Sequence, residues 1–143
     1  MVERYLSKIS GPLLDRIDLH VEIIPVSFNE ITERRESEKS SVVRERVIKA
    51  RELQTVRFAE HEGVYSNAQM SSKLLKEICV ISPVGQNLLK TAMERLNLSA
   101  RAYDRILKVS RTIADLAGSV DINPEHLAEA IQYRSLDREG WGG

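Results

Sequence analysis

The hydrophobic pattern changes character near residue 41. Before it, Ile17, Leu19, Val21 and Ile23 alternate with Asp18, His20 and Glu22, the period-2 signature of a strand with one buried face. Pro25 closes this run, and Gly11-Pro12 separates it from a short helix expected around Arg4 to Lys8. A single strand is not stable by itself. Two arrangements are open: pairing with the same strand of a second copy, or folding back onto the rest of the chain. A strand-paired dimer is the expectation, because an added strand satisfies backbone groups that side-chain packing does not. Residues 29–41 are almost wholly polar and read as a linker, with a helical turn signalled by the capping-box spacing from Ser27 to Glu30.

From residue 42 onward the pattern is helical. Ser41 is placed to cap a helix reaching about His61 and stopped by Gly63. Val43, Val47, Ala50, Gln54 and Phe58 trace one of its faces, with Gln54 the polar member. Asn67-Ala68 falls in a loop. Ser71 or Ser72 opens a short helix through Leu74, Leu75 and Ile78. Ser82-Pro83 and Asn123-Pro124 are matching start signals, a capping side chain followed by proline at the first helical position. The first opens a helix through Leu88, Leu89, Ala92, Met93 and Leu96, and the second one through Leu127, Ala130 and Ile131. Between them, Ser99 caps a helix from Ala100 to about Ala117, with Gly118 as its stop. The tail from Arg138 to Gly143 is expected to fray.

Composition narrows the function classes. Of 143 residues, 42% are hydrophobic and 29% charged, enough apolar surface for one core and too much for wholesale disorder. Lys plus Arg and Asp plus Glu are both 21, which argues against nucleic-acid binding through bulk positive charge. Two Phe, four Tyr and one Trp make a poor stacking surface for single strands. The lone cysteine, Cys79, sits in an apolar stretch and reads as core. His20, His61 and His126 have no zinc spacing and read as surface or partly packed residues. No run is long enough to span a membrane, and the cytoplasm is the expected location. The sequence has no Gly-Lys dipeptide, hence no Walker A loop, and no Asp-Glu pair of the kind many ATPases use to hold Mg and water. It also has no Gly-x-Ser-x-Gly elbow.

Two arginines carry a sharper chemical reading. Arg16 lies at the entry to the alternating segment, and Arg101 in the first turn of a helix, where free N–H groups and the helix dipole favour an anion. A guanidinium there makes a fork suited to phosphate oxygens. The competing readings are an ion pair of Arg16 with Asp15 or Asp18 and, for Arg101, a pair with Asp104 three residues on or plain solvation. The Arg34-Arg35 pair, set among Glu33, Glu36 and Glu38, reads as a mixed charged surface.

Ser10-Gly-Pro-Leu-Leu-Asp-Arg-Ile-Asp-Leu-His-Val-Glu-Ile resembles the segment that ends the ATPase core of magnesium-chelatase-like AAA+ proteins. Leu98-Ser-Ala-Arg-Ala-Tyr-Asp-Arg-Ile-Leu-Lys-Val-Ser-Arg-Thr-Ile-Ala-Asp-Leu-Ala-Gly is similar to their lid helix. His126-Leu-Ala-Glu-Ala-Ile-Gln-Tyr-Arg-Ser-Leu-Asp-Arg, Val43-Arg-Glu-Arg-Val-Ile-Lys-Ala-Arg-Glu-Leu-Gln and Asn67-Ala fit the same family, in its bacterial competence protein (ComM) type. The resemblance implies a mainly α fold: a helical-bundle lid over 42–143, preceded by a 29–41 linker and by a core remnant over 1–28 contributing one strand. The Walker motifs and most of the sheet would then precede residue 1. Arg16 matches the arginine finger, reaching in trans to the nucleotide of the next subunit, and Arg101 matches the sensor-2 arginine. ATP and Mg are implied for the full-length parent only. The implied partners are a homo-oligomeric ring, expected as a hexamer, and DNA, with no membrane. Two other readings stay open: a fragment of a true magnesium chelatase acting in porphyrin metallation, and a stand-alone module binding DNA or protein through the basic helix 41–61.

Overall fold

The computed structural model describes residues 10–23, 25–26, 28, 32 and 37–134. The helix expected at Arg4 to Lys8, the Ser27-to-Glu30 capping signal, the Arg34-Arg35 pair and the 138–143 tail lie outside the described residues. The described residues form α1 (Gly11–Leu14), α2 (Ser40–Arg57), a 3-10 turn (Asn67–Gln69), α3 (Ser72–Ile78), α4 (Pro83–Arg95), α5 (Ala100–Leu116) and α6 (Pro124–Gln132). The fold is mainly α-helical, as the sequence indicates.

Local chemistry sets most helix ends. Ser71, Ser82 and Ser99 each accept a hydrogen bond from the backbone N–H three residues on, at Leu74, Gly85 and Ala102, which satisfies one of the orphan donors of a first turn. Before α6 the Asn123 N–H donates to His126 Nδ1 at 3.0 Å, a capping-box arm with histidine in the usual Glu or Gln place. Isolated parallel bridging of Ile81 with Ile122 aligns the two proline-led starts. At the far end of α5, Gly118 has φ +66 and Ser119 N–H donates back to Ala114 O at 2.8 Å, a Schellman closure that favours glycine. Asn97, at φ 48, closes α4 in the same way, with Leu98 N–H reaching Met93 O at 3.0 Å.

The central element is α5, which packs against α2, the 3-10 turn, α3 and α6. Its buried stripe is Ala102, Ile106, Leu107, Ser110, Arg111, Ala114 and Asp115. Around it Phe58, Met70, Leu74, Leu75, Cys79, Leu89, Ile122, Leu127 and Ala130 complete one core. Gly85 lets α4 approach α6 closely: a Cβ there would lie 2.8 Å from Leu127 Cδ1. Burial pushes the Cys79 thiol up to about 11 against the opposing pull of nearby arginines.

Three expectations change. The first long helix begins at Ser40, with Lys39 in the cap position and no side-chain cap, and ends at Arg57 instead of reaching His61. Phe58 turns into the core there, and only Ala50 and Gln54 of α2 are buried, leaving Val43 and Val47 exposed. His20 and His126 are buried, not at the surface. Finally, Ile17 to Ile23 forms no strand ladder among the described residues. This segment folds back onto the bundle, with a backbone bond from His20 N–H to Tyr133 O at 2.8 Å. Val21 and Ile23 are left 68% and 88% exposed, so the alternation is present without a sheet to bury its apolar face.

Candidate functional site

Arg16 sits in a turn that continues α1. Its N–H donates to Leu13 O and the next N–H, from Ile17, to Leu14 O, both at 3.0 Å. Its guanidinium is exposed and donates through Nη1 to Pro12 O at 2.8 Å. The neighbouring carboxylates are engaged by other residues. Arg105, on α5, pairs with Asp18 and also donates from Nε to Asp15 O at 2.9 Å. Arg134, just beyond α6, donates to Ile17 O, and its Nη2 lies 3.9 Å from Asp15 Oδ1. Two guanidiniums from the bundle therefore hold the turn that carries a third. A recess of about 300 Å³ remains beside this junction, lined in part by Asp18, Leu19, Lys108, Thr112 and Tyr133.

Arg101 occupies the second position of α5, immediately after the Ser99 cap, and is exposed. Asp104 receives the Ser72 hydroxyl at 3.2 Å, and no ion pair joins it to Arg101 among the described residues. A cation at this end of a helix is opposed by the macrodipole, so the sequence carries Arg101 there without local electrostatic reward. The structure thus brings the Arg16 turn onto the same helix that carries Arg101, through Arg105 one helical turn further along.

Behind this face lies a polar network that sequence reasoning missed. The Asp115 side chain is 0% exposed. It accepts from Arg57 Nη2 and Nη1 at 2.5 and 2.8 Å, from Asn67 Nδ2 at 2.8 Å and from Arg111 Nε at 3.1 Å. Burial opposes its ionisation, but the hydrogen bonds from Arg57 and Asn67, with the Arg57 and Arg111 charges, outweigh it and hold the carboxyl below its ordinary range. Arg111 also ties the loop after α5, donating to Ser119 O at 2.7 Å and Val120 O at 2.8 Å. Gln54 accepts from Asn67 N–H at 3.0 Å. The available signal was the placement of two charged residues, Arg111 and Asp115, four apart on the buried stripe of α5. No group of three or more His, Cys, Asp or Glu side chains suited to a metal occurs among the described residues.

The sequence of this bundle matches the family model of the magnesium chelatase subunit ChlI C-terminal region over residues 37–134. Residues 1–31 match the magnesium chelatase subunit ChlI model itself. The chain belongs to the magnesium chelatase ChlI family. Within this family it is 44% identical, over 139 residues and 96% of its length, to Competence protein ComM of Haemophilus influenzae. It is 39% identical to Uncharacterized protein YifB of Escherichia coli over 94% of its length, and 39% identical to Uncharacterized protein Rv2897c of Mycobacterium tuberculosis over 92%. It spans 26% of each of these relatives. The bundle is the helical lid region of the family, and Arg16 and Arg101 fall in different family models. No helix among the described residues is long and apolar enough to cross a membrane.

Proposed function

We propose that this chain is the lid region of an ATP-driven ring motor, with Arg16 as an arginine finger acting in trans and Arg101 as the sensor-2 arginine. The observation that carries the reading is the fate of the carboxylates nearest each arginine in sequence. Asp15 and Asp18 lie against Arg134 and Arg105, and Asp104 takes the Ser72 hydroxyl. Among the described residues, both guanidiniums therefore face solvent without a carboxylate. They suit the developing charge on a transferring phosphoryl group, which a fixed, always-ionised fork stabilises. Nucleotide and Mg belong to the remainder of the full-length protein: the residues here are phosphate-contacting donors and supply neither a phosphate cradle nor an acidic Mg pair. A homo-oligomeric ring, a hexamer, and DNA as the polymer acted upon complete the proposal by family resemblance. In such a parent the apolar edge at Leu19, Val21 and Ile23 meets the sheet of the ATPase core; in the isolated chain it is the place for pairing with a second copy.

The test is made in the full-length protein. Arg16→Ala is expected to lower ATP turnover by ~10³-fold or more with nucleotide binding retained, and to poison the adjacent site when mixed with wild-type subunits. Arg101→Ala is expected to reduce discrimination between ATP and ADP. Wild-type turnover in Arg16→Ala, with unchanged discrimination in Arg101→Ala, overturns the reading.

A further inference from the structure

Resting on the reading of Arg16 as a finger, we propose that Arg105 is its positioning residue, joining the phosphate-sensing end of α5 to the turn that presents Arg16. The contacts of Arg105 bracket the finger. Its Nε holds the carbonyl of residue 15, one before Arg16, and its Nη1 pairs with the side chain of residue 18, two after. A planar guanidinium makes two such bonds in fixed directions, which a lysine ammonium does not reproduce. Arg134 adds a bond to the carbonyl of residue 17, so the carbonyls of the residues on either side of Arg16 are held by guanidiniums from the bundle. Arg16 itself is excluded from this clamp, and its side chain stays exposed.

Arg105 follows Arg101 by four residues, which puts both on one face of α5. A rigid helix thus carries one phosphate-sensing arginine at its start and, a turn later, the side chain that fixes the second. Movement of Arg101 on meeting or losing a phosphate is passed to the Arg16 turn through two bonds. Arg105 does not touch the nucleotide. It acts through the placement of Arg16, and an ångström-scale error in such placement costs on the order of 10²-fold in rate.

The experiment measures ATP turnover, nucleotide affinity and thermal midpoint in the full-length protein for Arg16→Ala, Arg105→Ala and the double variant. Arg105→Ala is expected to lose ~10²-fold in turnover, with ATP affinity and thermal midpoint retained, since the pair it breaks is half exposed and adds little to stability. The double variant is expected to be no slower than Arg16→Ala alone, because a misplaced finger and an absent finger are the same loss. Asp18→Asn, a milder change at an exposed side chain, is expected to move turnover in the same direction by several-fold and carries the test if Arg105→Ala misfolds. Multiplicative losses in the double variant, or wild-type turnover in Arg105→Ala beside an inactive Arg16→Ala, overturn the positioning role and leave the finger reading standing. Full activity in Arg16→Ala removes the finger reading, and this inference with it.

Discussion

Replacing Asp115 by asparagine tests what holds the bundle together. The side chain keeps its size, so no cavity is opened, and the change falls on charge and on hydrogen-bond direction. Asp115 accepts four bonds, two from Arg57 and one each from Asn67 and Arg111. An asparagine amide has one acceptor oxygen, and its NH2 group would face donors. The Arg111 side chain is 5% exposed and would keep its charge without a counter-charge. Breaking a buried pair by removing one partner costs about 3–5 kcal/mol, against a total of about 5–15 kcal/mol for a domain. At about 4–8 °C per kcal/mol for a helical bundle of roughly 100 residues, the thermal midpoint should fall by at least ~12 °C. Circular dichroism on the 143-residue chain reads this directly. Asp104→Asn is the control, because the Asp104 carboxylate receives a single exposed hydroxyl; its effect should stay within ~0.5 kcal/mol.

The pH dependence has a definite sign. The folded state holds the Asp115 pKa below its ordinary value of 3.8, so the unfolded state binds more protons in that range. The stability this provides is fully present above the unfolded value and is lost as pH falls through the lowered folded one. Wild type should therefore lose stability on acidification below about pH 5, and Asp115→Asn should show a flatter acid limb. A midpoint loss no larger than that of the control, or an unchanged acid limb, would refute the argument that the buried carboxylate is ionised and structural.

Two further outcomes follow from the same packing. With its pKa raised to about 11 and its side chain in the core, Cys79 should resist a thiol-disulfide reagent at pH 8 until guanidinium unfolds the chain; labelling of the native chain at the rate of a free thiol would show the site open. Ser99→Ala removes the acceptor for Ala102 N–H and should cost about 1 kcal/mol, read as a shift in urea midpoint at constant slope; no shift would mean that water caps α5 equally well.

What the sequence made legible was local. Ser71, Ser82, Ser99 and Asn123 mark helix starts because a short side chain and its own backbone decide the matter within four residues, and Gly118 marks a stop for the same reason. The Asn67–Asp115 contact was not legible, because its partners are 48 residues apart and periodicity carries no information about pairing. Gln54 shows the difference: on the helical pattern it is a polar interruption, whereas in the fold it takes the N–H of Asn67 and closes α2 onto the 3-10 turn. The alternation at residues 17–23 is legible as a pattern, but with no ladder partner among the described residues it forms no sheet there and lies against the bundle. Arg16 and Arg101 could be named as candidates from sequence. Arg105 could not, since only the docked geometry shows that it faces residues 15 and 18.

The energetic contrast between the two ends of α5 indicates where this region yields. Seventeen residues make a rod of about 25 Å. Near its C-terminal end, Arg111 and Asp115 are buried and tied to Arg57, Asn67 and two loop carbonyls, contacts that are expensive to break because each broken one leaves a desolvated charge. Toward its N-terminal end, the Arg105–Asp18 pair is 29% and 49% exposed, screened by salt and worth little alone, and it sits beside a recess of about 300 Å³. Strain applied at Arg101 therefore does not slide α5 along α2. On the proposed sensor role it is relieved first at the Arg105–Asp18 pair, while Arg134, 1% exposed, keeps its bond to Ile17 O. In the proposed motor the Arg105 contact is the part that yields: stiff enough to place a finger and weak enough to let it shift when the phosphate leaves, while Arg134 keeps the turn docked.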